Sequence, residues 1–199
     1  MDFHGTNDNR GEARQIYASY VAAVTAFIVW LTDTGRQVRL FVGDTKGCDD
    51  RVVDEVLTRV RLSRPDLDGD RVTAAPTSSF SDLMDAMEPA GTIVATRYHN
   101  VICALRLAKP TISLGYGANH DALMAQMGLA EYCQDARALD VDRLIGQFAD
   151  IQNRSAQLRP VIAERNEALA REVAEQFRYL SALLIPYSAE KKPTAEMPS

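Results

Sequence analysis

The sequence predicts an α/β fold that is Rossmann-like, with a mostly parallel sheet and helices on both faces. Short apolar runs alternate several times with helical stretches, which is the pattern of parallel strands joined by helical crossovers. The run 111–114 carries no charged residue, as expected of a strand that helices cover on both faces. With 199 residues, of which 46% are hydrophobic, the chain has room for one domain with a core of its own.

The first half of the chain begins with a long apolar stretch, 16–31, which predicts a buried helix closed by Gly35. Apolar and polar residues then alternate over 36–43 as in a strand. After the loop 44–50, apolar residues recur at helical spacing until Pro65. We expect the next strand at 71–75.

The second half repeats this order. The predicted elements are a helix capped by Ser78 or Ser79, a strand at 92–95, a helix at 98–108, a strand at 111–114, a helix ending at Gly128 and a helix from Asp140 to about Ile151. Residues 155–184 predict one long amphipathic helix that packs across the sheet. We therefore expect a single domain over 1–184 and a disordered polar tail over 185–199.

Charge and cysteine content exclude several classes of protein. The net charge is −5, which argues against a nucleic-acid protein that relies on a basic surface. The three cysteines are far apart, so neither a disulfide scaffold nor a cysteine zinc site is expected. The stretch 16–31 is too short and too interrupted to predict a membrane span, and the polar N-terminus does not resemble an export signal. A reducing, cytoplasmic location fits these features best.

Four loops follow the predicted strands or lie at the same edge of the sheet. Ligands of open parallel sheets bind beyond the carboxyl ends of the strands, where loops meet helix N-termini. This rule selects the loops 2–9, 42–50, 96–100 and 115–120. The first of them carries His4, which we include among the candidate ligand contacts.

The loop after strand 92–95 carries the most informative residues, Arg97, Tyr98 and His99. Arg97 offers a planar fork of donors for a carboxylate or phosphate, and histidine is the side chain that most often acts as a general acid or base. Together they could hold an anion and move a proton on it. The residue types alone are equally compatible with a surface ion pair of Arg97 and with His99 packing beside Tyr98.

The loop 115–120 has the sequence Gly-Tyr-Gly-Ala-Asn-His. Its glycines would let backbone N–H groups approach a phosphate at the start of the next helix. The loop lacks the spacing of a dinucleotide or Walker motif, and a tight turn with Asn119 as helix cap explains it as well. We expect no metal or cofactor site: the aspartates of 66–70 depart from a calcium loop in the placement of the glycine and the final ligand.

Residues 91–129, GTIVATRYHNVICALRLAKPTISLGYGANHDALMAQMGL, resemble the C-terminal half of the polysaccharide pyruvyl transferase family. In that family a strand leads to an Arg-X-His element, a helix, a Pro-containing turn, an apolar strand and a Tyr-centred loop followed by a helix. Arg97-Tyr98-His99 matches the first element and Tyr116 the second. The strand, Gly-Asp loop and helix of 38–60 also fit, so the resemblance covers most of the chain.

The resemblance implies one half of a GT-B-like fold, in which two Rossmann-like domains face each other across a cleft. It implies transfer of a pyruvyl group from phosphoenolpyruvate to sugar hydroxyls in polysaccharide biosynthesis, with His99 as general acid/base and Arg97 as clamp on the donor. We expect both substrates, phosphoenolpyruvate and the saccharide acceptor, to be bound by neighbouring residues. The candidates are Tyr98, Tyr116, Gly117, Asn119, His120 and His4.

This sequence departs from the family pattern in two respects. Family members often carry lysine three residues after the loop tyrosine, where this chain has Asn119. Family chains also contain a whole N-terminal domain, so we expect this chain to act with an N-terminal partner domain or as a homo-oligomer. Two alternatives stay open: the donor domain of a nucleotide-sugar glycosyltransferase, and a non-catalytic remnant of a pyruvyl transferase.

Overall fold

The computed structural model describes residues 10–42 and 49–188. Its helices are α1 (Arg10–Asp33), α2 (Asp49–Ser63), α3 (Phe80–Met87), α4 (Tyr98–Arg106), α5 (Ala118–Gln126), α6 (Val141–Asn153) and α7 (Ser155–Ser188). Its strands are β1 (Val38–Val42), β2 (Val72–Pro76), β3 (Ile93–Ala95), β4 (Thr111–Gly115) and β5 (Cys133–Asp135). Strands and helices alternate along the chain, as the sequence predicts.

The strands form two small parallel sheets flanked by helices, which confirms the Rossmann-like α/β fold. β1 pairs with β2 from Val38 opposite Val72 to Val42 opposite Pro76. The second sheet has the order β3-β4-β5. All five residues of its central strand, β4, are buried, because that strand is covered on both faces.

Helix α1 is longer than the sequence predicts, since it begins at Arg10 and includes a polar first turn. It ends where Gly35 adopts a positive φ of 82°, and the amide of Arg36 donates to the carbonyl of Leu31. By length and composition the stretch Gly11–Asp33 is apolar enough to cross a membrane. Helices of a protein core pass the same test, and here α1 packs against α2 and α6.

The interior of the fold is built mainly from the apolar sides of α1, α4, α6 and the central strand. Phe27 and Trp30 of α1 meet Phe148 of α6, with ring centroids 5.5 and 6.0 Å from Phe148. On another side of the sheets, α4 contacts both α3 and α7. These packed helices fix where each strand ends and therefore where its loop lies.

Two C-terminal features differ from the sequence-based expectation. The sequence does not predict strand β5, since Cys133-Gln134-Asp135 is short and largely polar. Helix α7 continues to Ser188, four residues beyond the predicted end. The prediction that this helix packs along its whole length is wrong, since Leu158 and Ile162 are buried but Val173, Phe177 and Leu180 are exposed. The predicted disorder of the tail concerns mainly 189–199, which lies outside the described residues.

Candidate functional site

The carboxyl ends of β3 and β4 bring two predicted loops together. Ala95, the last residue of β3, lies opposite Ser113 of β4 in the parallel register. After each strand the chain makes a two-residue turn and enters a helix, α4 at Tyr98 and α5 at Ala118. The two helix N-termini therefore begin near one another at one edge of the sheet, as the strand order requires.

Arg97 lies at the start of α4 and borders a cavity. Its backbone is extended, with φ −80° and ψ 131°, and its carbonyl accepts hydrogen bonds from the amides of Asn100 and Val101. The side chain is half-buried, and Arg97 lines the cavity together with Thr96 and Asn100. The predicted anion clamp thus lies beside an open space at the carboxyl edge.

His99 occupies the same helical turn but has a different environment. Its side chain is exposed, and its ring lies 5.5 Å from the ring of Phe80 and 6.1 Å from that of Tyr98. It does not line the cavity that Arg97 borders. The structure therefore places the two residues on one turn, with Arg97 towards the cavity and His99 on the outer surface.

His120 is the buried histidine of this edge, with only 2% of its surface exposed. Its Nδ1 lies 2.8 Å from the hydroxyl of Ser113, and its ring packs 5.3 Å from Tyr98 and 5.9 Å from Tyr116. Burial lowers the pKa of His120, and the nearby carboxylate of Asp121 only partly opposes this. A neutral imidazole in this position packs against the rings of both tyrosines.

The remaining candidates of the second loop are accessible. The side chain of Tyr116 is 44% exposed, and Gly117 and Asn119 are exposed beside it. The interpretation of Asn119 as the cap of α5 is wrong, because the helix already begins at Ala118 and its N-cap residue is Gly117. The side-chain oxygen of Asn119 turns back towards Gly117, where a Cβ would lie 2.9 Å from it.

Helices α4 and α5 differ from two other helices in how their N-termini are satisfied. The hydroxyl of Ser79 caps α3 and the carboxylate of Asp140 caps α6. Within the described residues no side chain caps α4 or α5. Uncapped N–H groups at adjacent helix starts favour an anion at this edge.

Three residues of this edge were not singled out from the sequence. Ser113 lies inside the apolar strand β4, Phe80 begins α3, and Thr96 lies 2.7 Å, oxygen to oxygen, from the hydroxyl of Tyr20 on α1. A lone serine in a buried strand signals a buried polar partner. The contacts of Phe80 and Thr96 depend on tertiary packing and leave no signal in the sequence.

No group of three or more metal-ligating side chains occurs among residues 10–42 and 49–188. The acidic segment 66–70 has a structural role: Arg64 pairs with Asp66, and Asp68 caps the short turn Gly69–Arg71. His4, the other predicted contact, lies outside the described residues.

Comparisons of the chain with protein-family models, with curated proteins and with solved structures found no match. The functional argument therefore depends on the residues of the edge itself.

Proposed function

We propose that this chain is the C-terminal half of a cytoplasmic polysaccharide pyruvyl transferase, which transfers a pyruvyl group from phosphoenolpyruvate to a sugar. The observation that carries the proposal is that Arg97 lines a cavity at the start of α4, and that no described side chain caps α4 or the neighbouring α5. Phosphoenolpyruvate carries a carboxylate and a phosphate. An arginine fork and the amides of a helix N-terminus are suited to both groups.

The reaction needs proton transfer at two points. Protonation of the methylene carbon of phosphoenolpyruvate makes C2 electrophilic, and two sugar hydroxyls then add to C2 while inorganic phosphate leaves. The product is a ketal with a new methyl group. The two sugar hydroxyls release two protons in total. One replaces the proton that the methylene carbon gains, and the other leaves with inorganic phosphate. We assign the acid/base role to His99, whose exposed ring is accessible to a substrate bound across the edge.

The tyrosines provide the surface for the acceptor. Tyr116 is exposed, and Tyr98 and Tyr116 are both held by the buried ring of His120. Fixed aromatic faces suit the apolar faces of sugar rings. Because His99 points outwards, the acceptor and the acid/base would meet where a partner domain closes over the edge, as in a two-domain transferase.

The test is a transfer assay with an N-terminal pyruvyl transferase domain supplied on a second chain. Phosphoenolpyruvate labelled with ¹³C at its methylene carbon and a hexoside with free hydroxyls are incubated with both chains, and NMR follows the ketal methyl signal. We expect His99→Ala to slow transfer by about 10²-fold or more, which is the usual contribution of a general acid or base.

Arg106→Ala serves as the matched control, because Arg106 is exposed in the last turn of the same helix. Its rate should equal that of the unmodified chain. An unchanged rate in His99→Ala would remove His99 from the reaction. Saturable binding of a nucleotide sugar, with no response to phosphoenolpyruvate, would favour a glycosyltransferase donor domain instead.

A further inference from the structure

A row of aromatic rings lies along the carboxyl edge. The ring centroid of His99 lies 5.5 Å from that of Phe80 and 6.1 Å from that of Tyr98. Tyr98 is followed by His120 at 5.3 Å, and His120 by Tyr116 at 5.9 Å. We call these five residues the aromatic row. They belong to the starts of α3, α4 and α5 and to the loop before α5, so the row runs across three successive helix starts.

Phe80 is more exposed than its place in the sequence pattern predicts. Leu83 and Met87 follow it on the same face of α3 and are buried in the core. The side chain of Phe80 is nevertheless 59% exposed. The apolar face of α3 therefore extends past the core and onto the carboxyl edge, where it meets His99.

Polar side chains flank Phe80 at the start of α3. Ser78, Ser79 and Asp82 are all exposed there. The hydroxyl of Ser78 donates to the carboxylate of Asp82, and the hydroxyl of Ser79 accepts from the amide of Asp82. These hydrogen bonds lower the pKa of Asp82, so its carboxylate is ionised at neutral pH. Phe80 thus presents an aromatic face next to hydroxyl and carboxylate groups.

This mixture suits the rings of sugars. A pyranose has apolar faces made by its C–H groups and hydroxyls around its rim, so an aromatic side chain can cover a face while polar groups bind the rim. The other end of the aromatic row has the same character, because Tyr116 is 44% exposed and Asn119 is exposed near it. A phosphate fits the Phe80 end poorly, since the carboxylate of Asp82 repels an anion.

His99 lies within the aromatic row and not at its end. Phe80 contacts it on one side, and Tyr98, which leads through His120 to Tyr116, contacts it on the other. Adjacent centroids are between 5.3 and 6.1 Å apart, a spacing close to the length of one unit in a chain of linked sugars. A sugar that reacts at His99 therefore has an aromatic ring available for the next sugar on either side.

We propose that the acceptor is a saccharide chain of at least three linked sugars, which binds along the aromatic row with an internal unit at His99. One neighbouring sugar stacks on Phe80 and the other on Tyr98 and Tyr116. Phe80 is thus a specificity-determining residue that favours chains over single sugars. The inference rests on the proposed function for the position of the reacting unit, whereas binding of the chain is measured without phosphoenolpyruvate.

The test is saturation-transfer NMR on the full chain, with irradiation of the aromatic protons of the protein. The probes are methyl β-glucopyranoside and two β-1,4-linked chains, cellotetraose and galactotetraose, with uridine monophosphate as the competing class of ligand. We expect one of the tetraoses to bind at least tenfold more tightly than the methyl glucoside, because more rings of the ligand are stacked. Saturation should be strongest at the C–H protons of its inner sugars.

Three variants locate the binding. Phe80→Ala should weaken tetraose binding about fivefold or more, whereas Phe80→Trp should retain it because the aromatic face remains. Phe177→Ala is the matched control, since Phe177 is exposed to a similar degree, 66%, on α7; it should leave the affinity unchanged. Circular dichroism checks that all three fold. If Phe80→Ala does not fold, the comparison of tetraose with methyl glucoside decides on the unmodified chain.

Several results would overturn the proposal. Absence of tetraose binding at millimolar concentration, or equal affinity for tetraoses and methyl glucoside, would mean that the edge does not recognise a saccharide chain. Unchanged tetraose binding in Phe80→Ala would remove Phe80 from the site. Binding of uridine monophosphate that depends on Phe80, without tetraose binding, would mean that the ring stacks on a nucleobase.

The proposed function fails in a different way. A chain that binds a tetraose through Phe80 but does not bind phosphoenolpyruvate has the saccharide site without the pyruvyl donor. In that case the proposed transfer is wrong, and the aromatic row remains a saccharide-binding surface.

Discussion

The imidazole of His120 packs directly over the backbone of Gly115. A Cβ added to Gly115 would lie 2.8 Å from Nδ1 of His120 and closer still to the ring carbon Cγ. The same Nδ1 is held by Ser113, so the ring cannot move away without losing its buried hydrogen bond. A glycine is therefore needed at position 115 because the ring of His120 lies so close to the backbone. Backbone conformation is not the reason, since the φ of Gly115 is not in the left-handed region.

The substitution Gly115→Ala should destabilise the fold by about 1–3 kcal/mol, the usual cost of overpacking a buried site. Urea denaturation measures the free energy of unfolding. Gly91→Ala is the matched control, since a Cβ there meets nothing within 4 Å. In a His120→Ala background, Gly115→Ala should lower the free energy of unfolding by clearly less. An equal loss of stability in both backgrounds would contradict the contact between Gly115 and His120.

The buried His120 should make stability depend on pH. Its pKa is lowered in the folded state by burial, whereas in the unfolded chain it lies near 6.5. As pH falls through about 6.5 the unfolded chain binds a proton first, so the free energy of unfolding decreases. The stability that depends on a neutral His120 is fully present above about pH 6.5. It is lost as the pH falls towards the lower pKa of His120 in the folded chain.

Urea denaturation at pH 7.5 and 5.5 checks this effect in the unmodified chain and in His120→Gln, which cannot titrate. Both retain His99 and His4, so the difference isolates His120. We expect a smaller loss of stability on acidification in the variant. If His120→Gln loses as much as the unmodified chain, the histidine is not kept neutral by the fold.

Tyr132 ties the segment before β5 to α6. The residue is 1% exposed, its hydroxyl donates to Asp150, and the guanidinium of Arg154 donates to the same hydroxyl at 2.9 Å. Tyr132→Phe keeps the ring but removes both bonds, so it should cost about 1 kcal/mol of stability. Thermal denaturation compares it with Tyr179→Phe, whose hydroxyl is on an exposed part of α7. Equal melting temperatures for the two variants would refute the role of the hydroxyl.

Cys133 should be a poorly reactive thiol. Burial raises its pKa to about 11, and its hydrogen bond to Asp121 acts in the same direction. Since the thiolate is the reactive form, iodoacetamide at pH 8 should alkylate Cys133 far more slowly in the folded chain than in urea. Peptide mass spectrometry follows the rate. Cys103, which is buried and whose pKa burial also raises, serves as a second thiol for comparison. Rapid labelling of folded Cys133 would contradict its environment.

The fold could be predicted from the sequence wherever an element carries its own pattern. β4 carries no charged residue and is buried throughout, and α6 begins at a capping aspartate, Asp140. β5 has neither alternation nor apolar character, because Gln134 is buried through a hydrogen bond to Gln147 and not through an apolar side chain. The strand conformation of β5 therefore depends on its pairing with β4 and not on a pattern in its own residues.

The candidate site could be predicted only as a set of positions. The ends of the strands place Arg97, His99 and Tyr116 at one edge, which requires only the order of strands and helices. Which histidine is buried depends on packing: His120 lies under the loop against Ser113, whereas His99 is exposed beside Phe80. Both histidines lie in the first turn of a helix that closely follows a strand, so the sequence does not distinguish them.

Binding of phosphoenolpyruvate to the purified chain tests the central claim most directly. Isothermal titration calorimetry of the unmodified chain, Arg97→Ala and Arg106→Ala measures the dissociation constant of this one ligand. We expect saturable binding that Arg97→Ala weakens about tenfold or more, as for loss of a charge-assisted bond, and that Arg106→Ala leaves unchanged. Binding that is equally strong in all three proteins, or absent from the unmodified chain, would contradict the assignment of Arg97 as the donor clamp.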